Sequence, residues 1–425
     1  MSTFTDPTAA AQEHCEVMAN HAPDLAEQYQ SLATLLQKKL YHQLTVAVLE
    51  FVSSPDQTLR TTPDGTSSYL ALYDRVVLSV DKKLNQLTLA RIASAVADAT
   101  ALSADGDSDS ASARTVLENL LADKRERLGP SAALYVESKL ALLGLGLLSR
   151  GAPGVDGPKH LASTKELLRK NEKVLAEQAV GGGGAGGGGD AQSDIAVVLS
   201  AHYECAMVYR KAVGPPEAYY REAVQYLHYA PLDALPADER LALATDLSMA
   251  ALTGDGVYNF GEVVQHPILQ CLVGTANAWL VELMEASAAG DVAAFKAVST
   301  RHAAEIAAQP ALTGRAQMVQ EKITLLAMVH MIFERPSSER TLRLADIARR
   351  IEMAEDQVEL VVMRALSLGL IRGSMDQVDG TVEVTWVMPR VLDAAQLSDL
   401  AGRFGEWAVK VSQTKDYMSE QAFVA

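Results

Sequence analysis

The sequence predicts an all-α-dominated chain: an α-solenoid of helical hairpins, then a compact module of two helices and two strands, and one long helix at the C-terminus. Three observations carry this. Apolar residues recur at steps of three and four from about Asp24 to Gly254, with no strand-like alternation. After Pro336 two short amphipathic helices lead into the alternating Val382, Val384 and Trp386. Beyond Pro389 a 3.5-residue apolar period sets in and runs almost to the end.

In the first region, Leu32, Leu35, Leu36 and Leu40, then Leu44, Val48, Leu49 and Val52, show helix-face spacing with Lys38 and Lys39 opposite, and Pro55 closes the pair. This is a helical hairpin. Comparable units are expected at Leu70 to Ala99, Thr115 to Ser149, Leu161 to Val180, Ile195 to Val213 and Tyr219 to Tyr229, with a further helix from near Asp238. The units share no crisp 34-residue signature, which makes the repeats degenerate and the solenoid tetratricopeptide-like. Gly181 to Gly189 reads GGGGAGGGG, a flexible linker by composition. Ser103 to Ser112, rich in Ala, Asp, Ser and Gly, reads as a second soft loop.

Leu344, Ile347, Ala348 and Ile351 make one short helix, and Val358, Val361, Val362, Ala365 and Leu366 a second that ends near Gly369. Leu370 to Arg372 and Thr381 to Val387 then read as two strands around a turn at Asp376 to Gly380, the winged-helix order. A final helix begins near Asp393, whose D-x-x-Q with Gln396 has the form of a capping box. Along it Leu397, Leu400, Phe404, Trp407, Val411 and Met418 form a narrow seam of the kind that packs in a helical bundle.

Charge narrows the function. Lys plus Arg number 37 against 53 for Asp plus Glu, a net of −16, which is the wrong sign for wrapping a phosphate backbone. The winged helix is acidic as well: from Thr341 to Leu400 six basic residues face ten acidic ones, and the would-be recognition helix carries Glu355, Asp356 and Glu359 where base edges would lie. Nucleic acid is therefore not the expected partner. Three scattered cysteines, Cys15, Cys205 and Cys271, point to a reducing compartment. The first 22 residues have no Lys or Arg and no apolar run, unlike a signal or transit peptide. Leu140 to Leu148, bounded by Lys139 and Arg150, is about half the roughly 20 residues of a membrane span, so no membrane is expected.

Candidate chemistry is thin. The nine histidines form no H-E-x-x-H or H-x-H motif, no G-x-S-x-G elbow occurs, and the glycine run lacks the Lys-Ser/Thr ending of a phosphate-binding loop. His202 and Cys205, three apart on a helix, could supply two metal ligands, but a buried packing pair accounts for them more simply. No catalytic residue, cofactor or metal is expected.

Four blocks carry a family resemblance: LYHQLTVAVLEFV at Leu40 to Val52, GDGVYNFGEVVQHPIL at Gly254 to Leu269, VELVVMRALSLGLIRGS at Val358 to Ser374, and VTWVMPRVLD at Val384 to Asp393. In these blocks, and in its order of helical repeats followed by a winged helix, the chain resembles the PCI family, and within it the subunits of the proteasome lid. The resemblance implies a PCI module and five segments: an N-terminal tail (1–23), the solenoid (24–255), the helical part of the PCI domain (256–336), its winged helix (337–390) and a C-terminal bundle helix (391–425). It further implies a non-catalytic scaffold of the cytoplasm and nucleus, contributing to ubiquitin-dependent protein degradation. Its partners would be other PCI subunits of the lid, the deubiquitinating metalloprotease pair and the ubiquitin receptor subunit. Carried over, the contact residues are Val382, Val384 and Trp386 on the strand and Leu397, Leu400, Phe404, Trp407 and Val411 on the seam. The same fold also serves the COP9 signalosome and a translation initiation factor complex, against which the Asn259-Phe260-Gly261-Glu262 block argues.

Overall fold

The computed structural model describes residues 7–21, 23–53, 68–102, 107–149, 156–181, 189–232, 235–335, 339–392 and 394–424. The chain divides into two units, one of residues 1–214 with 221–230, the other of 215–220 with 231–425.

The first unit is helical throughout its described residues: α1 (Pro7–His21), α2 (Ala26–Gln37), α3 (Tyr41–Ser53), α4 (Ser68–Leu72), α5 (Gln86–Leu102), α6 (Asp107–Ser149), α7 (Gly157–Gly181), α8 (Gly189–Val213) and most of α9 (Pro216–Tyr229). Within the expected N-terminal tail, Pro7–His21 forms a packed helix. Ala11, Cys15 and Met18 repeat at steps of four and three and are fully buried against the rest of the core. In the first hairpin the turn falls at Lys38 to Leu40, with Lys39 in the left-handed region at φ 57°. Leu40 therefore leaves the apolar stripe and is exposed. Tyr29, Leu32 and Leu36 of α2 meet Leu44, Val48 and Phe51 of α3, and edge-to-face contacts run from Tyr29 to Phe51 (5.2 Å) and on to Tyr69 (6.0 Å).

The unit expected at Leu70 to Ala99 is the end of α4, two short turns, Tyr73–Val77 and Leu78–Lys83, and most of α5. Most of the expected loop at Ser103 to Ser112 is the first turns of α6, which starts at Asp107; residues 103–106 lie outside the described residues. Within α6, Gly129 (φ 73°) and Pro130 break the helical path, so the element is two helices joined at a kink. Its second part, Arg127–Ser149, is long and apolar enough to cross a membrane by length and composition, yet more than half of it is buried in the protein. The glycine linker lies largely outside the described residues, at 182–188.

The second unit opens with α10 (Ala237–Thr253), α11 (Gly261–Gln265), α12 (Ala278–Ala289), α13 (Val292–Arg301), α14 (Ala303–Ala307), α15 (Pro310–Thr313) and α16 (Ala316–Glu334). The first unit closes near Ala230, because α10 packs on the 3-10 turn Pro267–Leu272 and on α12. The end of α10 is capped from a distance. Lys322 Nζ donates to the carbonyls of Ala251 (2.7 Å) and Gly254 (2.8 Å), and Arg315 Nη1 to that of Thr253 (2.7 Å), which satisfies acceptors a helix terminus leaves open. Burial pushes the Lys322 pKa down to about 7, against the pull of Asp255; the three carbonyl contacts and the Phe260 ring at 5.1 Å favour its charged form.

The winged helix follows as β1 (Thr341–Arg343), α17 (Leu344–Ile351), α18 (Glu355–Ser367), β2 (Ile371–Asp376) and β3 (Thr381–Val387), and α19 (Ala394–Val424) completes the chain. The sheet has three strands in the order β1-β3-β2, all antiparallel, not the two-stranded hairpin expected from the sequence. Three residues are too few for β1 to show alternation. Its Leu342 sits opposite Val382 and is fully buried. The core of this unit joins Ile323, Met328 and Val329 of α16 to Ile347 and Ile351 of α17, Val358, Val362 and Ala365 of α18, and Val382 and Val384 of β3. Each such Ile, Val or Met side chain contributes about 1.5–3 kcal/mol. Helix α18 ends in a Schellman motif: Gly369 (φ 69°) donates to the Leu366 carbonyl, and Leu370 to that of Ala365. Asp393, the expected cap of α19, lies outside the described residues.

Candidate interaction surface

Two sets of side chains were expected to make contacts, and the structure treats them differently. Val382 and Val384 are buried at 1% and 4% exposure, packed under α16 to α18. They are core residues, which removes them as contact candidates. Strand β3 is also the central strand, with a neighbour on each side, so it has no free edge. Trp386 is half-buried, and the Arg372 guanidinium lies over its ring at 4.8 Å.

The expected contacts left out β2, the strand that the sequence places at Leu370 to Arg372 and that runs over Ile371–Asp376. It has β3 on one side and no strand on the other among the described residues, and Arg372, Gly373 and Ser374 along it are exposed. A register shift between Arg372 and Gly373 bends it, and Thr385 Oγ1 donates to the Arg372 carbonyl at 3.1 Å. Gly373 is required here: a Cβ on it would stand 1.9 Å from the Glu383 carbonyl oxygen. A glycine within an alternating strand was the signal available in the sequence.

The seam is different. Leu397, Leu400, Phe404, Trp407, Val411 and Met418 are all exposed, from 37% for Leu400 to 67% for Met418. Almost every described side chain of α19 from Leu397 onward faces water, polar and apolar alike. Such a series of large apolar side chains in solvent is not a stable end state for a soluble surface. The residues just before the helix are fixed. Gln265 Nε2 donates to the Leu392 carbonyl at 2.6 Å, and a Cβ on Gly261 would come within 2.9 Å of Val391 Cβ. Arg390 donates to the Ala288 carbonyl at the end of α12, and its other nitrogen faces His330 Nδ1. The sequence block at Asn259 to Glu262 serves the same anchorage. Asn259 Nδ2 donates to Glu262 Oε1 (2.8 Å), Tyr220 Oη donates to the Asn259 carbonyl (3.1 Å), and Phe260 is buried.

His202 and Cys205 are both buried in the first unit. Burial lowers the His202 pKa to about 4 and raises that of the Cys205 thiol to about 12, and His202 Nδ1 has no hydrogen-bond partner. These are the properties of neutral packing side chains. Among the described residues no three His, Cys, Asp or Glu side chains are placed to hold a metal ion.

Residues 28–284 match the family model described as PSD13 N-terminal repeats, and residues 300–386 match the PCI domain. The chain is 32% identical over 412 residues to the Arabidopsis thaliana 26S proteasome non-ATPase regulatory subunit 13 homolog B, covering 95% of this chain and 96% of that protein. The chain belongs to the proteasome regulatory subunit 13 family. Other members include the 26S proteasome non-ATPase regulatory subunit 13 of Dictyostelium discoideum, 29% identical with 94% of each chain covered, and the 26S proteasome regulatory subunit RPN9 of Saccharomyces cerevisiae, 28% identical with 92% of each covered. The repeat match runs past Gly254 into α12, and the PCI match ends at Trp386. The exposed seam of α19 therefore lies beyond both family models.

Proposed function

We propose that the chain is a non-catalytic scaffold subunit of the lid of the 26S proteasome regulatory particle, serving ubiquitin-dependent protein degradation in cytoplasm and nucleus. The full-length relatives supply the complex. The bare seam on α19 supplies the mechanism, since six large apolar side chains in one line need a partner, and burying each in a helical bundle contributes about 1.5–3 kcal/mol. The free side of β2 offers a second contact, by strand addition from a neighbouring winged helix. In this reading the partners are other PCI subunits, with the metalloprotease pair and the ubiquitin receptor held by the resulting frame.

The test is deletion of residues 394–425 from a tagged chain, followed by mass spectrometry of what co-purifies. The full chain should bring down lid subunits and the truncated chain none, while both melt alike. Unaltered recovery of lid subunits by the truncated chain would overturn the seam's role. Failure of the full chain to recover them would overturn the assignment to the lid.

A further inference from the structure

Helix α19 leaves the winged helix through residues 388–392, and that segment is fastened along its length. The Met388 amide donates to the Leu370 carbonyl at 2.8 Å, Gln265 Nε2 donates to the Leu392 carbonyl at 2.6 Å, and between them Arg390 reaches α12 and α16. The outer two are neutral hydrogen bonds. Those of Arg390 are charge-assisted and roughly twice as strong, which makes the guanidinium the main fastening.

What it is fastened to can change charge. One guanidinium nitrogen donates to the Ala288 carbonyl at the end of α12, while Nη1 faces Nδ1 of His330 on α16 at 2.5 Å. A guanidinium has only donors, so Nδ1 must offer its lone pair, and the ring proton sits on Nε2, which faces Glu334 Oε1 at 3.1 Å. The contacts thus fix a neutral imidazole in one tautomer. A second ring proton would set N–H against N–H at the Arg390 contact and bring two cations side by side. The charged groups acting on the ring are Arg390 of the segment and Arg350 of α17, which oppose that proton, and Glu334 of its own helix, which favours it. Burial and Arg390 outweigh Glu334, whose side chain is 56% exposed, and hold the His330 pKa below its ordinary 6.5.

The ring itself cannot retreat. Helix α12 ends on Gly290 (φ 65°), where a Cβ would come within 3.1 Å of His330 Cβ and 3.0 Å of Ala327 Cα, so the turn lies directly on the stem of the histidine. Arg390 is only partly buried, on a long stem with many rotamers, and is the member of the pair able to leave.

We propose that His330 is a proton-operated latch on α19: the neutral ring holds Arg390 and fixes the direction in which the helix leaves, and the protonated ring expels Arg390 and lets the helix turn about residues 388–392. The consequence for assembly rests on the role proposed above for α19, but the latch is tested on the free chain, where lid subunits play no part.

The experiment measures amide hydrogen exchange of the full chain by mass spectrometry at about pH 7.5 and pH 5, relative to the intrinsic exchange rate at each pH. Deuterium uptake at the imidazole C2 carbon, measured alongside, reads the titration of each histidine. Protection of the 390–392 amides should fall about fivefold or more at the lower pH, while α12 and α16 stay protected. In His330→Asn, whose amide oxygen accepts from Arg390 and does not titrate, the fall should be less than about twofold. Arg390→Met should show low protection at both pH values and should raise the His330 midpoint, because a cation has been removed from beside Nδ1. Protection at 390–392 that survives at pH 5 would overturn the proposal. So would an equal loss in His330→Asn, which would move the cause to another group such as His266 beside Gln265, or an unchanged His330 midpoint in Arg390→Met.

Discussion

Helices α18 and α19 carry apolar residues at the same three- and four-residue steps, yet α18 buries Val358, Val362 and Ala365 completely, while α19 leaves Leu397, Phe404 and Trp407 more than half exposed. Periodicity alone does not separate them. The difference is in what lies opposite. Helix α18 faces α16, α17 and the sheet within the same unit, close in sequence and held by short turns. Helix α19 follows a segment pinned at Arg390 and Leu392 and, among the described residues, meets no comparable apolar face. A stripe whose partner is in the chain supports the fold; one without such a partner supports association.

The largest expected effect comes from placing a charge on each stripe in turn. Val362→Asp buries a carboxylate with no partner and should cost more than about 4 kcal/mol, enough to unfold the winged helix. Trp407→Asp should shift thermal melting by less than about 0.5 kcal/mol, because its site is in water in the free chain. In the assembly the ranking of α19 reverses. Phe404→Ala and Trp407→Ala should each cost about 2–4 kcal/mol of association, measured by competition for lid incorporation. If Trp407→Asp destabilised the isolated chain as Val362→Asp does, the two helices would be alike and the distinction would fail.

A second test probes burial in the first unit, where His202 is 2% exposed. Its pKa, lowered by burial from 6.5 to about 4, means that the unfolded chain binds more protons between those values. Stability should therefore be unaffected by this group above pH 6.5 and fall as pH drops toward 4, by about 3 kcal/mol once both states are protonated. Urea unfolding at pH 7 and pH 4.5 checks this. The loss should be smaller in His202→Leu, whereas an equal loss would assign the acid sensitivity to other groups.

These contrasts show what was legible in the chain. Helix stripes were, because Leu and Val at i, i+3 and i+4 mark a buried face whatever covers it. Helix α1 was not: its buried residues are Ala11, His14, Cys15, Met18 and Ala19, too small or too weakly apolar to form a run. Strand β1 was missed through its length. That omission left β3 looking like an edge and made Val382 and Val384 look available. The seam of α19 was visible as a period. The contact of Arg390 with His330 and Ala288 was not, since the three are joined only by the fold.

The third test bears on β2, the other proposed contact. Gly373→Ala forces a Cβ against the Glu383 carbonyl and should cost about 1–3 kcal/mol by opening the β2–β3 ladder. Gly402→Ala on exposed α19, where a Cβ meets nothing within 4 Å, should raise helix stability by up to about 1 kcal/mol without affecting the sheet. Equal effects at the two glycines would mean that close packing, which distinguishes the winged helix from the C-terminal helix, is not what the sheet depends on.

The smallest effect is the most discriminating about local causes. Helices α17 and α18 both end on a left-handed residue, but α18 uses Gly369 (φ 69°) and α17 uses Glu352 (φ 54°). A residue with a Cβ in that conformation carries a cost of roughly 1–2 kcal/mol that glycine avoids. Glu352 recovers part of it through Lys296 at 2.6 Å, but both side chains are about half exposed, and such pairs contribute no more than about 1 kcal/mol. Glu352→Gly should therefore raise stability by up to about 1 kcal/mol, measured by chemical unfolding in 0.5 M salt, where the ion pair is screened. Lys296→Met, which removes the pair and keeps the strained residue, should change it by less than about 0.5 kcal/mol. If Glu352→Gly is instead destabilising at high salt, the side chain holds the turn by something other than charge, and the end of α17 is shaped by its packing rather than by its backbone.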